Sequence, residues 1–157
     1  MKITDKLNNE TIIFLNSRTR SDSIKELLDH LVDFNYLEKS IKLFSFIDSQ
    51  ESENCSSVGR GIAFPHSISK ELKELVCILG ISKLGIDYEA ESIHPCHIIL
   101  LSLSPESNPN IHRKFISKFR LFMTNPALKQ YIFDAKSSED INKLLINWEI
   151  EQLEEEL

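Results

Sequence analysis

Two uninterrupted apolar runs, Leu75 to Ile81 and His97 to Leu103, constrain this chain more than any other feature. A strand with one face in water alternates apolar and polar side chains, whereas a strand covered on both faces has no reason to alternate. Both runs are therefore expected to be central strands, with other elements packed above and below them. Helical periodicity supplies the cover. Ile24, Leu27, Leu28, Leu31 and Val32 line one face of a predicted helix that opens at Ser21 or Ser23, with Glu26 completing a capping box with Ser23. A second predicted helix spans 37–47, where Ile41, Phe44, Phe46 and Ile47 make a broad apolar face. Ile111, Phe115, Phe119, Phe122 and Met123 mark a third after Pro105, and Asn125 and Pro126 interrupt it.

Leu128, Tyr131 and Ile132 suggest a short fourth helix. Ser137 and Asp140 form a capping-box pattern ahead of Ile141, Leu144, Leu145 and Trp148, so a fifth follows, and its acidic end, EIEQLEEEL, is expected to fray. Short strands are expected at 11–15 and at 62–64, the latter closed by Pro65 and His66 in a tight turn. Residues 50–58 are polar, have no period and read as loop. The sum is an α/β chain, a three-layer α/β/α sandwich around a mixed, mostly buried sheet of about five strands. With no internal repeat and no linker-like segment, residues 1–157 read as a single domain.

Charge and cysteine usage narrow the partners. Eighteen Lys and Arg against 24 Asp and Glu leave a formal net charge of -6, which disfavours nucleic acid or an anionic membrane as the main partner. Cys55, Cys77 and Cys96 are odd in number and lack CxxC spacing, so they read as reduced thiols. The start, MKITDKLNNE, has no apolar stretch of signal type, and no run is long enough to span a bilayer. A cytoplasmic location without membrane insertion is expected.

Chemistry concentrates in residues 59–66, GRGIAFPH. Proline fixes its own φ and pushes the preceding residue to an extended conformation, so the backbone entering His66 has few alternatives. An imidazole held in this way offers a neutral nitrogen near pH 7 as nucleophile, general base or metal ligand. From spacing alone, a turn histidine without a role fits equally well. A metal site built from His94, Cys96, His97 and His112 has suitable ligand types but poor geometry, because positions 96 and 97 of a strand face opposite ways. No metal and no cofactor are expected, and no G-x-S-x-G elbow supports a serine nucleophile.

The segment from Glu51 through Ser56 to GRGIAFPH resembles the phosphorylation motif of fructose/mannitol-type enzyme IIA domains of the bacterial phosphotransferase system, with the nitrogen-regulatory branch the expected subfamily. GIDYEAES at 85–92, HIILLSLSPE at 97–106 and IHRKFISKFRLFM at 111–123 extend the similarity along nearly the whole chain, whose length suits a domain without a fused permease. The resemblance implies that His66 accepts a phosphoryl group through Nε2 from an HPr-like histidine phosphocarrier. It makes His112 the second histidine, positioning the phosphoryl or the His66 ring; by position alone His112 would be an exposed residue of a first helical turn. Glu51, Ser56 and Ser57 would line the loop beside His66. The implied output is regulation of a target protein, with delivery of the phosphoryl to a sugar-specific IIB protein as the alternative, or a binding module insensitive to phosphorylation.

This chain departs from the family pattern at three places. Gln50 stands where relatives carry arginine, Ser56 where they carry threonine, and Ser67 where glycine follows the histidine. Arginine offers phosphoryl oxygens a permanent charge and paired donors; glutamine offers only a neutral amide. Arg60, six residues before His66, is the candidate to restore that charge, its other reading being a solvated loop cation.

Overall fold

The computed structural model describes residues 1–57, 60–88 and 95–156. Five strands and five helices follow in the order β1 (Ile12–Phe14), α1 (Arg20–Asp33), α2 (Ile41–Glu53), β2 (Ile62–Ala63), β3 (His66–Ser69), β4 (Val76–Ile86), β5 (Cys96–Pro105), α3 (Ile111–Met123), α4 (Pro126–Asp134) and α5 (Ser138–Glu156). The sheet is mixed. β4 and β5 pair antiparallel at its centre, β1 runs parallel to β4 on one side, and β2 and β3 both run parallel to β5 on the other.

The two long runs lack alternation because each feeds two cores. Cys77, Leu79, Ile81, Ile98 and Leu100 point into one cluster with Phe115, Phe119 and Phe122 of α3 and Ile141 and Leu145 of α5. Val76, Ile78, Ile99, Leu101 and Leu103 point into the other, with Ile24, Leu27, Leu28 and Leu31 of α1 and Ile47 of α2. The expected three layers are thus present, α1 and α2 on one face and α3, α4 and α5 on the other. Close approach of α1 is possible because position 80 has no side chain: a Cβ on Gly80 would lie 2.9 Å from Leu27 and 2.8 Å from Leu15. Burial pushes the Cys77 and Cys96 thiols up to about 12, as inert core groups.

Several boundaries differ from expectation. The N-cap of α1 is Thr19, whose side chain accepts the Asp22 N–H; the Ser23 hydroxyl donates instead to the Thr19 carbonyl, and Glu26 receives the N–H groups of Asn16 and Ser17. Thr19 is drawn into place by a bridge to Asp87. Helix α2 begins at Ile41 and runs on to Glu53, so Gln50 and Glu51 are helical and not loop. Strand pairing also resumes after Pro65, because a proline removes one donor while its carbonyl still accepts the Ser102 N–H at 3.1 Å. His66 therefore opens β3 and does not sit in a tight turn. Ser137 does cap α5, accepting the Asp140 N–H, and the helix continues through its acidic end to Glu156. Of the four metal-ligand candidates, His94 lies outside the described residues. Cys96 and His97 face opposite sides of β5, the thiol near the Gly61 carbonyl and the imidazole bonded to that of Ser82. His112 joins β5 at Ser104, eight residues further along the strand or roughly 25 Å away.

Candidate functional site

Two segments converge at the edge of the sheet. Gly61, with φ +76°, turns the chain into β2, a conformation that costs glycine little. Phe64 and Pro65 then carry it without a break in direction to His66, which pairs with Ser102 of β5 and is exposed, with Ser67 buried behind it. From the other side, a short link, 106–110, joins β5 to α3, which brings His112 to the same place in its first turn. The two rings stack, centroids 4.5 Å apart and planes inclined by 17°.

Both imidazoles are held from behind. The His66 Nδ1 lies 3.1 Å from the Phe64 carbonyl. A carbonyl can only accept, so Nδ1 carries the proton and Nε2 keeps its lone pair. His112, 7% exposed, has Nδ1 3.0 Å from the Ser104 hydroxyl, which also accepts its backbone N–H at 3.3 Å. Burial, then the neighbouring His66, hold the His112 pKa below the usual imidazole range; the Pro109 carbonyl opposes this and Arg113 adds to it. His112 is thus neutral at pH 7, and the stack does not carry two charges.

Behind the segment lies a second cluster, buried at Glu51 and Tyr88 and half-buried at Ser56. Glu51, 5% exposed, accepts the Ser56 N–H at 3.1 Å, the Ser56 hydroxyl at 2.6 Å and the Tyr88 hydroxyl at 2.9 Å, all on Oε2. The Ser56 oxygen in turn accepts the Phe64 N–H at 3.0 Å. Phe64 is therefore gripped at both polar ends of its backbone, by Ser56 through N–H and by His66 through the carbonyl. Burial first, and then the Glu51 charge, hold the Tyr88 phenol far above its ordinary pKa, so it remains a donor.

In front of the histidines is a cleft of about 890 Å³ between α2 and α3. Its charged lining is Lys39, Lys42, Lys70 and Arg113 against Glu71, a positive concentration on a chain of net charge -6. Ile41, Phe46 and Ile68 are exposed apolar residues on its wall.

The sequence-derived residues fall into three groups. His66, His112 and Gln50 line the cleft together. Glu51 and Ser56 belong to this second cluster and reach His66 only through Phe64, while Ser57 bridges to Ala63 and its N–H points at the Cys55 sulfur. Arg60 stands apart: it lines a separate recess of about 330 Å³ with Arg120 and Phe64, and its carbonyl accepts the Lys129 ammonium at 2.6 Å. Ser104, Tyr88 and Arg113 were not singled out from the sequence. Arg113 had a signal, as the cation next to His112; Tyr88 and Ser104 had none, because their partners are set by tertiary pairing.

Comparison with known proteins places this geometry in a family. The family model for the "Phosphoenolpyruvate-dependent sugar phosphotransferase system, EIIA 2" matches residues 6–148. The chain belongs to that family. Among EIIA relatives, the fructose-specific EIIABC component of Bacillus subtilis is 26% identical over 142 residues, covering 90% of this chain and 22% of the relative. The fructose-specific EIIA component of Haloferax volcanii is 22% identical over 127 residues, covering 81% of this chain and 82% of the relative. The chain thus spans about a fifth of the first relative and most of the second. The EIIA fold is shared with the nitrogen regulatory protein IIA-Ntr of Neisseria meningitidis, TM-score 0.79 at 18% identity over 91% of this chain and 98% of that one. It is shared also with enzyme IIA in the Escherichia coli complex of IIAMtl and phosphorylated IIBMtl, TM-score 0.73 at 17% identity over 90% and 98%. Among the described residues no helix is long and apolar enough to cross a membrane.

Proposed function

We propose that this EIIA domain is a phosphocarrier that takes a phosphoryl group on His66 Nε2 from the phosphohistidine of an HPr-like protein. The observation that carries the reading is the Nδ1 contact to the Phe64 carbonyl, which presents Nε2 as the nucleophile beside a second, neutral imidazole. Nε2 attacks phosphorus in line as the donor's N–P bond breaks. The donor ring, cationic while phosphorylated, leaves as neutral imidazole; His66 becomes the cationic phosphoimidazole and keeps its Nδ1 proton on Phe64. No net proton moves, and the step is reversible because one N–P bond replaces another. The phosphoryl brings about -1.5 to -2 charge, which the cleft lysines, Arg113 and the N-terminus of α3 oppose.

For the next step we favour delivery to a IIB protein over the regulatory output expected from the subfamily resemblance. The two relatives described above are fructose-specific components, while the likeness to IIA-Ntr is one of fold. The test is to load the protein with labelled phosphoenolpyruvate, enzyme I and an HPr-like carrier, then add a fructose-type IIB domain. Label that reaches the protein and passes to IIB supports the full reading. Label that is retained, while binding to a regulator changes with phosphorylation, would return the output to regulation. A protein that takes no label loses the phosphocarrier assignment.

A further inference from the structure

Gln50 lines the cleft wall beside both histidines. A phosphoryl arriving on His66 meets there a neutral amide, one dipole without a permanent charge. Arg60, which chain position alone nominates as a substitute, lines the separate recess with Arg120 and Phe64. Of the residues lining the cleft of the histidines, Arg113 supplies the guanidinium. It follows His112 directly in the first turn of α3, one peptide or about 3.8 Å from a residue whose ring stacks on His66.

Two further observations bear on it. Arg113 is exposed, and among the described residues no carboxylate pairs with it, so its donors are free for an incoming anion. Its charge also acts on the His112 ring, as expected of a cation close to the stack. The cleft lysines, Lys39, Lys42 and Lys70, are compact charges on flexible stems, whereas a guanidinium offers paired donors to two oxygens of one phosphoryl.

We propose that Arg113 is the residue that binds the transferring phosphoryl in this chain, taking over from α3 the charge that position 50 on α2 does not supply. The assignment rests on the phosphocarrier reading of His66. It makes the site one in which charge has moved between the two helices that flank the cleft while the acceptor stays in place.

The test compares Arg113→Gln, Arg113→Lys, Arg60→Gln and the double variant Arg113→Gln/Gln50→Arg. Readouts are the single-turnover rate of transfer from the phosphorylated carrier and the half-life of phospho-His66, with thermal melting to establish that each variant is folded. Loss of one charged hydrogen bond to the phosphoryl should slow transfer by about ten- to a hundredfold in Arg113→Gln. Arg113→Lys should recover part of that rate. The double variant should return to within about threefold of the native rate, a rescue from the opposite wall that a merely structural role for Arg113 does not predict. Native transfer by Arg113→Gln, a double variant no faster than the single one, or a larger loss in Arg60→Gln than in Arg113→Gln would each overturn the assignment while leaving His66 as acceptor. A native protein that takes no label would remove the phosphocarrier reading itself, and this inference with it.

Discussion

The segment Phe64–Pro65–His66 has two sides built on different terms. Its front is an open cleft of about 890 Å³ with stacked imidazoles, four cations and exposed apolar residues. Its back is a closed cluster in which Glu51, Ser56 and Tyr88 satisfy one another and hold the Phe64 N–H. In front, water competes for the exposed cations Lys39, Lys42, Lys70 and Arg113, and burial fixes none of them in place. Behind, the donors of Ser56 and Tyr88 converge on one buried Glu51 oxygen, and removing it takes away three bonds at once. The back determines where His66 stands, and the front determines what happens to it. Glu51 reaches His66 only through Ser56 and Phe64.

The sharpest way to break this contrast is to remove its buried carboxylate. Glu51→Ala removes the acceptor of the Ser56 N–H, the Ser56 hydroxyl and the Tyr88 hydroxyl together and should cost about 3 kcal/mol of stability in denaturant unfolding. Gln50→Ala, one residue earlier on the cleft wall, should stay within about 0.5 kcal/mol of native. Equal losses from the two neighbours would erase the distinction between front and back.

A gentler cut separates the members of the cluster. Tyr88→Phe removes one donor and leaves Glu51 bonded to Ser56, so about 1 kcal/mol should be lost, with phosphoryl transfer slowed only as far as Phe64 shifts. Unfolding and transfer measured on the same preparation check this. A Tyr88→Phe protein as unstable as Glu51→Ala would mean that the phenol, and not the carboxylate, organises the back.

The smallest expected effect belongs to the front and follows from the depressed pKa of His112. In the unfolded chain this imidazole takes a proton near pH 6.5; in the folded chain it does so only at lower pH. Between those values the unfolded state binds more protons. The stability contribution of neutral His112 is therefore complete above about pH 6.5 and is lost as pH falls through the folded value. Melting curves between pH 7.5 and 5 should show a shallower decline for His112→Gln than for the native protein. An unchanged slope would mean that burial does not hold the ring neutral.

What the sequence made legible follows the same division. β4 and β5 can be read because their apolar runs, 76–81 and 98–103, are buried at every position, so composition alone carries the signal. The face of α3 could be read because Phe115, Phe119 and Phe122 repeat at helical spacing into one core. His66 stood out because Pro65 restricts the backbone in front of it. The end of α2 was misread as loop because Gln50 and Glu51 are polar, and the partner that rewards burying Glu51, Tyr88, lies 37 residues away. Thr19 is not legible as N-cap because Asp87, the residue it bridges to, is 68 positions away along the chain. Closeness along the chain nominates Arg60, whereas the turn at Gly61 sends it toward Arg120 and away from the cleft.

The account depends most on one atom. Phosphorylate the native protein with phosphoenolpyruvate, enzyme I and an HPr-like carrier, and assign the linkage by nitrogen- and phosphorus-detected NMR on histidine-labelled protein. The Nδ1 contact to Phe64 predicts a single acid-labile phosphoryl on His66 Nε2, absent from His66→Ala. Phosphorylation at Nδ1, or undiminished phosphorylation of His66→Ala, would contradict it.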